Sequence, residues 1–180
     1  MNHYGAKELA ASFRTVRKNT ILTAQDIPEE KYSFRPAPDT RSVAELLSHI
    51  ALGFNFGFLI HKERRKNLDG INFLEMMQRM SAEEKAPRSK EQILELLRAN
   101  GETWAGFVEG LSDDFLAERV ELPAGAVPPS RSRFDMILSV KEHEMHHRGQ
   151  LMLIERIIGI VPHLTRDMQA RHAAAAAQKK

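Results

Sequence analysis

The sequence predicts an all-α fold, a bundle of four long helices. Apolar residues recur at helical spacing in four long segments, whereas glycine and proline gather between those segments. No convincing period-two alternation, the pattern of a half-buried strand, is found outside the loops. At 180 residues, the chain is long enough for one domain with a substantial core. Together these observations favour a four-helix bundle.

The first two helices are indicated by their apolar stripes. The first is expected from about Ala6 to Ala24, and a proline-rich loop follows it. The second begins at "SVAE", where Ser42 and Glu45 have the spacing of a capping box. Six residues form its predicted inward stripe: Leu46, His49, Leu52, Gly53, Phe56 and Ile60.

The third and fourth helices also have recognisable ends. Ser89 in "SKEQ" is the predicted N-cap of the third helix. The fourth is expected to run from near Ser132 to Gly159, because glycine commonly follows the last helical residue and Pro162 comes shortly afterwards.

The connections between these helices are unequal in length. Residues 61–88 are too many for a tight turn, so the second and third helices are expected to be joined by a long crossover with a short helix at "NFLEMMQRM". The predicted order is up-down-down-up. Residues 1–165 are expected to form a single domain, and residues 166–180 a flexible, alanine-rich, basic tail.

Composition excludes several classes of protein. Without cysteine there is no disulfide framework or thiolate metal site, which suits the cytoplasm. No segment is expected to span a membrane. The tail holds four basic residues and one aspartate, so residues 1–165 carry a net charge of −1 although the whole chain is +2. A nucleic-acid partner is therefore not expected, because its binding needs basic residues clustered on the folded body.

The stretch "KEHEMHHRGQ", residues 141–150, holds three histidines in the fourth predicted helix. His143 and His147 lie four residues apart and therefore share its inward face, whereas His146 lies on the flank. Buried imidazoles need partners. The H-x-x-x-H spacing is the one with which two histidines of a helix bind one ion. His49 on the second helix supplies a third inward imidazole, beside Gly53, whose missing side chain leaves room for close approach.

Neighbouring polar residues are open to more than one interpretation. Glu45 either caps its helix, orients the ring of His49 or contributes an oxygen ligand. Gln150 either contacts bound solvent or substrate or bonds within the bundle, and His146 is expected to support the site or face a dimer partner. Glu144 and Arg148 have the i, i+4 spacing of a surface or interface ion pair.

Three imidazoles leave coordination positions open on a divalent transition metal. Nitrogen donors favour zinc or nickel, with iron or manganese also compatible, and they disfavour magnesium and calcium. The predicted metal ligands are His49, His143 and His147.

The strings "HEMHHRGQ", "SVAELLSHIA", "YSFRPAPDTRS" and "GIVP" resemble the DinB/YfiT-like superfamily over roughly residues 5–162. That superfamily consists of DNA-damage-inducible-type metalloenzymes and is not the polymerase that shares the DinB name. The resemblance implies a four-helix bundle with a three-histidine metal site, assembled as a homodimer. It assigns the ligands to the same residues, His49, His143 and His147.

Members of this superfamily include metal-dependent enzymes that use a low-molecular-weight thiol. The resemblance therefore implies a thiol S-transferase acting on small electrophiles, in which the metal activates the thiol. A metal-dependent hydrolase of a small molecule is the first alternative, since an open site also activates water. The second is a non-catalytic, metal-binding stress-response dimer, in which no pocket would open beside the ion.

Overall fold

The computed structural model of the chain describes residues 4–178 and is predominantly helical. The predicted all-α class is thereby confirmed. The elements within these residues are α1 (Ala6–Asp26), a 3₁₀ turn (Glu29–Lys31), α2 (Val43–Leu52), α3 (Asn55–Lys62), α4 (Phe73–Glu84), α5 (Lys90–Glu109), α6 (Asp113–Ala117), β1 (Arg119–Glu121), β2 (Ser130–Ser132), α7 (Arg133–Ile157) and α8 (His163–Ala177).

Helices α1, α2, α5 and α7 enclose the core. α1 packs against α5 and α7, and α2 packs against the same two helices. One apolar cluster lies between them around Leu47, Leu97 and Leu151. A second cluster surrounds Trp104 and includes Phe13. The order up-down-down-up stays a prediction.

The predicted helix ends agree with the structure. Ser42, Ser89 and Ser132 each accept a hydrogen bond from the backbone N–H three residues later, as N-caps do. Gly159 follows α7 with a φ of +85°, a left-handed conformation that glycine adopts without strain. The short helix expected in the crossover is α4.

The second predicted helix is two helices. α2 ends at Leu52, and α3 begins at Asn55. At the junction the N–H of Gly53 bonds to the carbonyl of Ile50, an i→i−3 bond that tightens the last turn. Of the predicted stripe, Leu46, Leu52 and Ile60 are buried and the other three residues are half-buried. The regular spacing of the stripe does not report this local change in the backbone.

The antiparallel strands β1 and β2 were not predicted. Val120 of β1 pairs with Arg131 of β2 at the centre of a three-residue register. Only Val120 of β1 is buried. Three residues with one buried position are too few to produce a recognisable alternation.

The expectation about membrane spans has to be weighed against one segment. Residues Val43–Lys62 are long and apolar enough to cross a membrane by length and composition. The structure uses this segment as core, because Leu46, Leu47, Ile50 and Ala51 are buried between the helices. Core helices commonly meet the same criterion, so the segment is weak evidence for a span.

The predicted domain boundary at residue 165 does not coincide with the end of an element. α8 begins at His163 and continues to Ala177. Its first turn is attached to the body, since His163 is buried and Arg166 pairs with Asp26 of α1 at 2.6 Å. Beyond Arg166, the described residues of α8 are exposed.

A buried ion pair links the four core helices. Arg17 of α1 binds the carboxylate of Glu144 on α7, with Nε 2.9 Å from Oε1. The same guanidinium donates to the carbonyl of Leu97 on α5 at 2.7 Å and of Ile50 on α2 at 3.3 Å. The predicted Glu144–Arg148 pair is therefore wrong, because Glu144 is buried and already engaged.

We expect Glu144→Gln to lower the free energy of unfolding by about 3 kcal/mol, since it leaves a buried guanidinium without its counter-charge. Glu102→Gln, which removes one of the two α5 carboxylates that pair with Arg14 of α1 at an exposed site, is the control. Its cost should stay below about 1 kcal/mol. Urea unfolding of both variants measures the difference, and equal costs would contradict the prediction.

His61 of α3 is a second buried polar residue. Its Nδ1 accepts a hydrogen bond from Nη1 of Arg133 at 3.3 Å, and its Nε2 is buried without a partner. Burial, reinforced by the charge of Arg133, lowers the pKa of His61 from 6.5 to about 4. The neutral imidazole is therefore the form that the fold accommodates.

Between pH 6.5 and 4 the unfolded chain protonates His61 and the folded protein does not. The stability contributed by this difference is present above pH 6.5 and is lost as the pH falls, by at most about 1.4 kcal/mol per pH unit. His61→Gln should flatten the dependence of unfolding free energy on pH across this window. The exposed His172→Gln serves as the control and should leave the dependence unchanged.

Candidate metal centre

The structure brings three histidines from two helices together. α2 carries His49, and α7 carries His143 and His147 one turn apart. Nε2 of His143 lies 3.0 Å from Nε2 of His49 and 3.1 Å from Nε2 of His147. One ring nitrogen of each residue lies within 4.8 Å of the others. As expected, a side chain at Gly53 would crowd His143, because a Cβ there would lie 3.2 Å from the ring.

The outer nitrogen of His49 is held by a carboxylate. Nδ1 of His49 lies against Oε1 of Glu84, the last residue of α4. Since a carboxylate only accepts, Nδ1 is the protonated nitrogen in the neutral ring and Nε2 keeps its lone pair. Arg41 donates through Nε to the other oxygen of Glu84 at 3.0 Å. Glu84 is buried and therefore fixed between these two partners.

The outer nitrogen of His147 is held in the same way by an amide. Nδ1 of His147 lies 2.8 Å from Oε1 of Gln150. The amide oxygen accepts, so the neutral ring again carries its proton on Nδ1 and a lone pair on Nε2. The amide nitrogen of Gln150 lies 3.4 Å from Nε2 of His146, which is exposed and outside the cluster.

The inner nitrogens fit a cation. Nε2 of His49 and Nε2 of His147 both carry lone pairs. Nε2 of His143 lies between them and has at most one proton to donate, so hydrogen bonding alone leaves one of the two lone pairs unsatisfied. Nitrogen ligands about 2.0–2.1 Å from one metal ion lie roughly 3.0–3.4 Å apart. The two separations at His143, 3.0 and 3.1 Å, are in that range. The three imidazole donors, and the hydrogen-bonded outer nitrogens of His49 and His147, fit a histidine-ligated metal ion.

Burial favours the neutral forms of His143 and His147. It lowers the pKa of His143 to about 4, with further lowering by the neighbouring rings of His147, His49 and His146 and by Arg41. Burial also lowers the pKa of His147, although the bond to Gln150 opposes this effect. Neutral imidazoles at pH 7 have lone pairs available for a cation.

Glu45 lies on the second helix but does not hold His49. Its carboxylate accepts from the N–H of Ser42 at 2.9 Å, completing the capping box. The other oxygen accepts from Arg35 at 2.6 Å, and this bond lowers the pKa of Glu45. The capping interpretation is therefore the correct one.

Glu84 was missed in the sequence. It lies 35 residues from His49, in a crossover whose packing no periodicity specifies. Only Glu84 is buried among the residues of α4, so the helix has no inward apolar stripe to mark this position. A lone buried glutamate on an exposed helix is visible only in the structure.

A pocket of about 780 Å³ opens beside the histidine cluster. His147, Gln150 and Glu84 form part of its wall. The proline-rich loop that precedes α2 closes another side, and the carboxyl-terminal half of α7 supplies an apolar surface. This volume is typical of a small-molecule site.

Fold and site together define a class of helical proteins with a three-histidine cluster beside a pocket that His147 lines. A family model described as the DinB superfamily matches residues 12–151. The chain belongs to this superfamily.

Two comparisons with a protein of Bacillus subtilis, one by sequence and one by structure, agree with this assignment. YjoA of strain 168, described as an uncharacterized protein, is 23% identical over 154 residues, which are 86% of this chain and 91% of YjoA. The crystal structure of the DinB-like protein YjoA gives a TM-score of 0.62 at 22% identity, covering 84% of this chain and 92% of that one. The structural likeness establishes the fold.

We expect the ring of His49 to be protonated on Nδ1 in the metal-free protein, because Glu84 accepts from that atom. Glu84→Ala should remove this preference, whereas Glu84→Gln, which keeps an accepting oxygen, should retain it in part. Long-range ¹H–¹⁵N NMR of the histidine rings at neutral pH distinguishes the two tautomers. A ring protonated on Nε2 in the unsubstituted protein would contradict the assignment.

Proposed function

We propose that His49, His143 and His147 bind a divalent transition metal at an open coordination site. The observation that carries the proposal is the convergence of three Nε2 atoms whose rings are oriented by Glu84 and Gln150. Zinc and nickel suit three neutral imidazoles best, and iron or manganese are the next candidates.

The reaction that this site supports best is transfer of a low-molecular-weight thiol to a small electrophile. A bound divalent ion would lower the pKa of a coordinated thiol and thus supply a nucleophile. The chain itself contains no cysteine, so the nucleophilic sulfur must come from a cosubstrate. The adjoining pocket has room for the thiol and the electrophile together.

Within this proposal the chain's own residues orient and bind. Glu84 and Gln150 keep the metal-facing nitrogens of His49 and His147 unprotonated. The pocket wall positions the second reactant. The thiol proton passes to solvent, and the thiolate gives its electron pair to the electrophilic carbon to form the sulfur–carbon bond. The bond between that carbon and its leaving group breaks, and the leaving group departs to solvent with the bonding pair, as chloride does from an aryl chloride.

The alternatives are separated by thiol dependence and by the pocket. A hydrolase at the same site would turn over without added thiol. A non-catalytic dimer, whose metal only joined α2 to α7, would have no use for a pocket of about 780 Å³ beside His147. The pocket therefore favours a site that takes a small-molecule substrate.

Replacing a ligand should affect metal binding far more than replacing its neighbour. We expect His147→Ala to weaken zinc binding by at least about 100-fold. His146→Ala, at the preceding and exposed position, should change zinc binding by less than about threefold. Competition with a chromophoric chelator gives both affinities. Equal losses would place the site elsewhere.

The zinc- or nickel-loaded protein should accelerate conjugation of a cellular thiol, such as cysteine or a cysteinyl sugar, to 1-chloro-2,4-dinitrobenzene. His147→Ala should abolish the acceleration, because the metal is no longer held. Product absorbance against time, with and without thiol, separates transfer from hydrolysis. Turnover that needs no thiol would favour the hydrolase.

We further propose that the protein is a cytoplasmic homodimer, as its superfamily resemblance implies. Light scattering of the purified protein should give twice the chain mass of 20.5 kDa. A monomeric mass would remove this part of the proposal.

A further inference from the structure

The charged side chains of the pocket balance one another. Three are cationic and three are carboxylates: Arg35, Arg41, Lys85, Asp39, Glu45 and Glu84. Glu45 is engaged by Arg35, and Glu84 by Arg41 and the ring of His49. The wall by itself therefore has no net preference for a charged ligand.

Two donor groups in this wall remain available to a ligand. Within residues 4–178, Lys85 makes no side-chain hydrogen bond or ion pair, and it follows directly after Glu84 at the end of α4. Arg41 reaches Glu84 through Nε, and its two Nη groups have no acceptor among the described residues. Both groups line the same pocket.

The proposed metal changes the charge balance. Three neutral imidazoles bring no negative charge, so a divalent ion would add two positive charges that its protein ligands leave uncompensated. With the ion bound, the pocket becomes net positive and favours an anion. This step rests on the proposed function.

One side of the pocket is apolar. Leu153 and Ile157, one turn apart on α7, both line the pocket with 59% and 54% of their surface exposed. Ile154 and Leu46 extend the same surface inward. An apolar ligand group placed here would be removed from water, at about 25 cal/mol per Å² buried.

We propose that this pocket binds a small amphipathic carboxylate. Its carboxylate lies at Lys85 and Arg41, and its apolar body covers Leu153 and Ile157. The bound molecule lies beside the histidine cluster, since His147 and Glu84 belong to the same wall. The substrate of the proposed reaction is accordingly an anion with an apolar portion.

The test is a set of calorimetric titrations of the zinc-loaded and the metal-free protein at pH 7. Hexanoate, hexan-1-ol and hexylammonium have the same chain and differ in charge, and acetate lacks the apolar body. We expect hexanoate to bind more tightly than the other three probes.

Two exposed substitutions locate the binding. Lys85→Gln should weaken hexanoate by about fivefold and leave hexan-1-ol unchanged. Leu153→Ser should weaken hexanoate similarly and leave acetate unchanged. Lys7→Gln makes the same charge change on an exposed lysine of α1 that is outside the pocket, and it should have no effect.

Hexanoate binding that ignores Lys85→Gln, or that is matched by hexylammonium, would overturn this inference while leaving the metal proposal intact. Failure of the proposed function would give a different result: the unsubstituted protein would not bind zinc stoichiometrically. Hexanoate binding to the metal-free protein, sensitive to Lys85→Gln, would still support the carboxylate subsite in that case.

Discussion

The structure depends on one buried guanidinium. Arg17 of α1 bonds to a carboxylate on α7 and to backbone carbonyls on α5 and α2, so a single side chain joins its own helix to the other three core helices. Two of its partners adjoin the site in sequence, since Glu144 follows His143 and Ile50 follows His49. Gly101 makes the approach feasible, because a Cβ there would lie 2.8 Å from Cγ of Arg17. The same packing of the helices therefore buries this charge and brings the imidazoles together.

Burial affects the polar groups of the core in different ways. The ion pair persists because each charge has its counter-charge within hydrogen-bonding distance. His143 and His147 remain neutral because burial lowers their pKa values. Glu155 has no counter-charge within hydrogen-bonding distance, since both its oxygens are buried without a partner. Burial raises its pKa to about 7. Neutral rings facing one another are the form in which the core can receive a cation.

Much of the fold was predictable because it follows from local rules. Serine caps and helical periodicity located the long helices, and the four-residue spacing of His143 and His147 placed both rings on one face. His49 was found because it interrupts an apolar stripe. Contacts between distant segments were not predictable: Glu144 was assigned to the surface because the sequence does not reveal that Arg17 lies opposite, and Glu84 is on a helix without periodicity. The break at Gly53 and the short strands were missed for the same lack of a repeating pattern.

The end of the crossover helix α4 has two roles: it holds the ring of His49, and it lines the pocket. Its last residue, Glu84, is held between His49 and Arg41, but its other residues contribute nothing to the buried core. Ser81 and Lys85, on either side of Glu84, face the pocket. Side chains at these two positions can change in size and charge without opening a cavity in the protein interior. Substitutions at the end of α4 can therefore change which ligands the pocket selects, while the helical core stays the same.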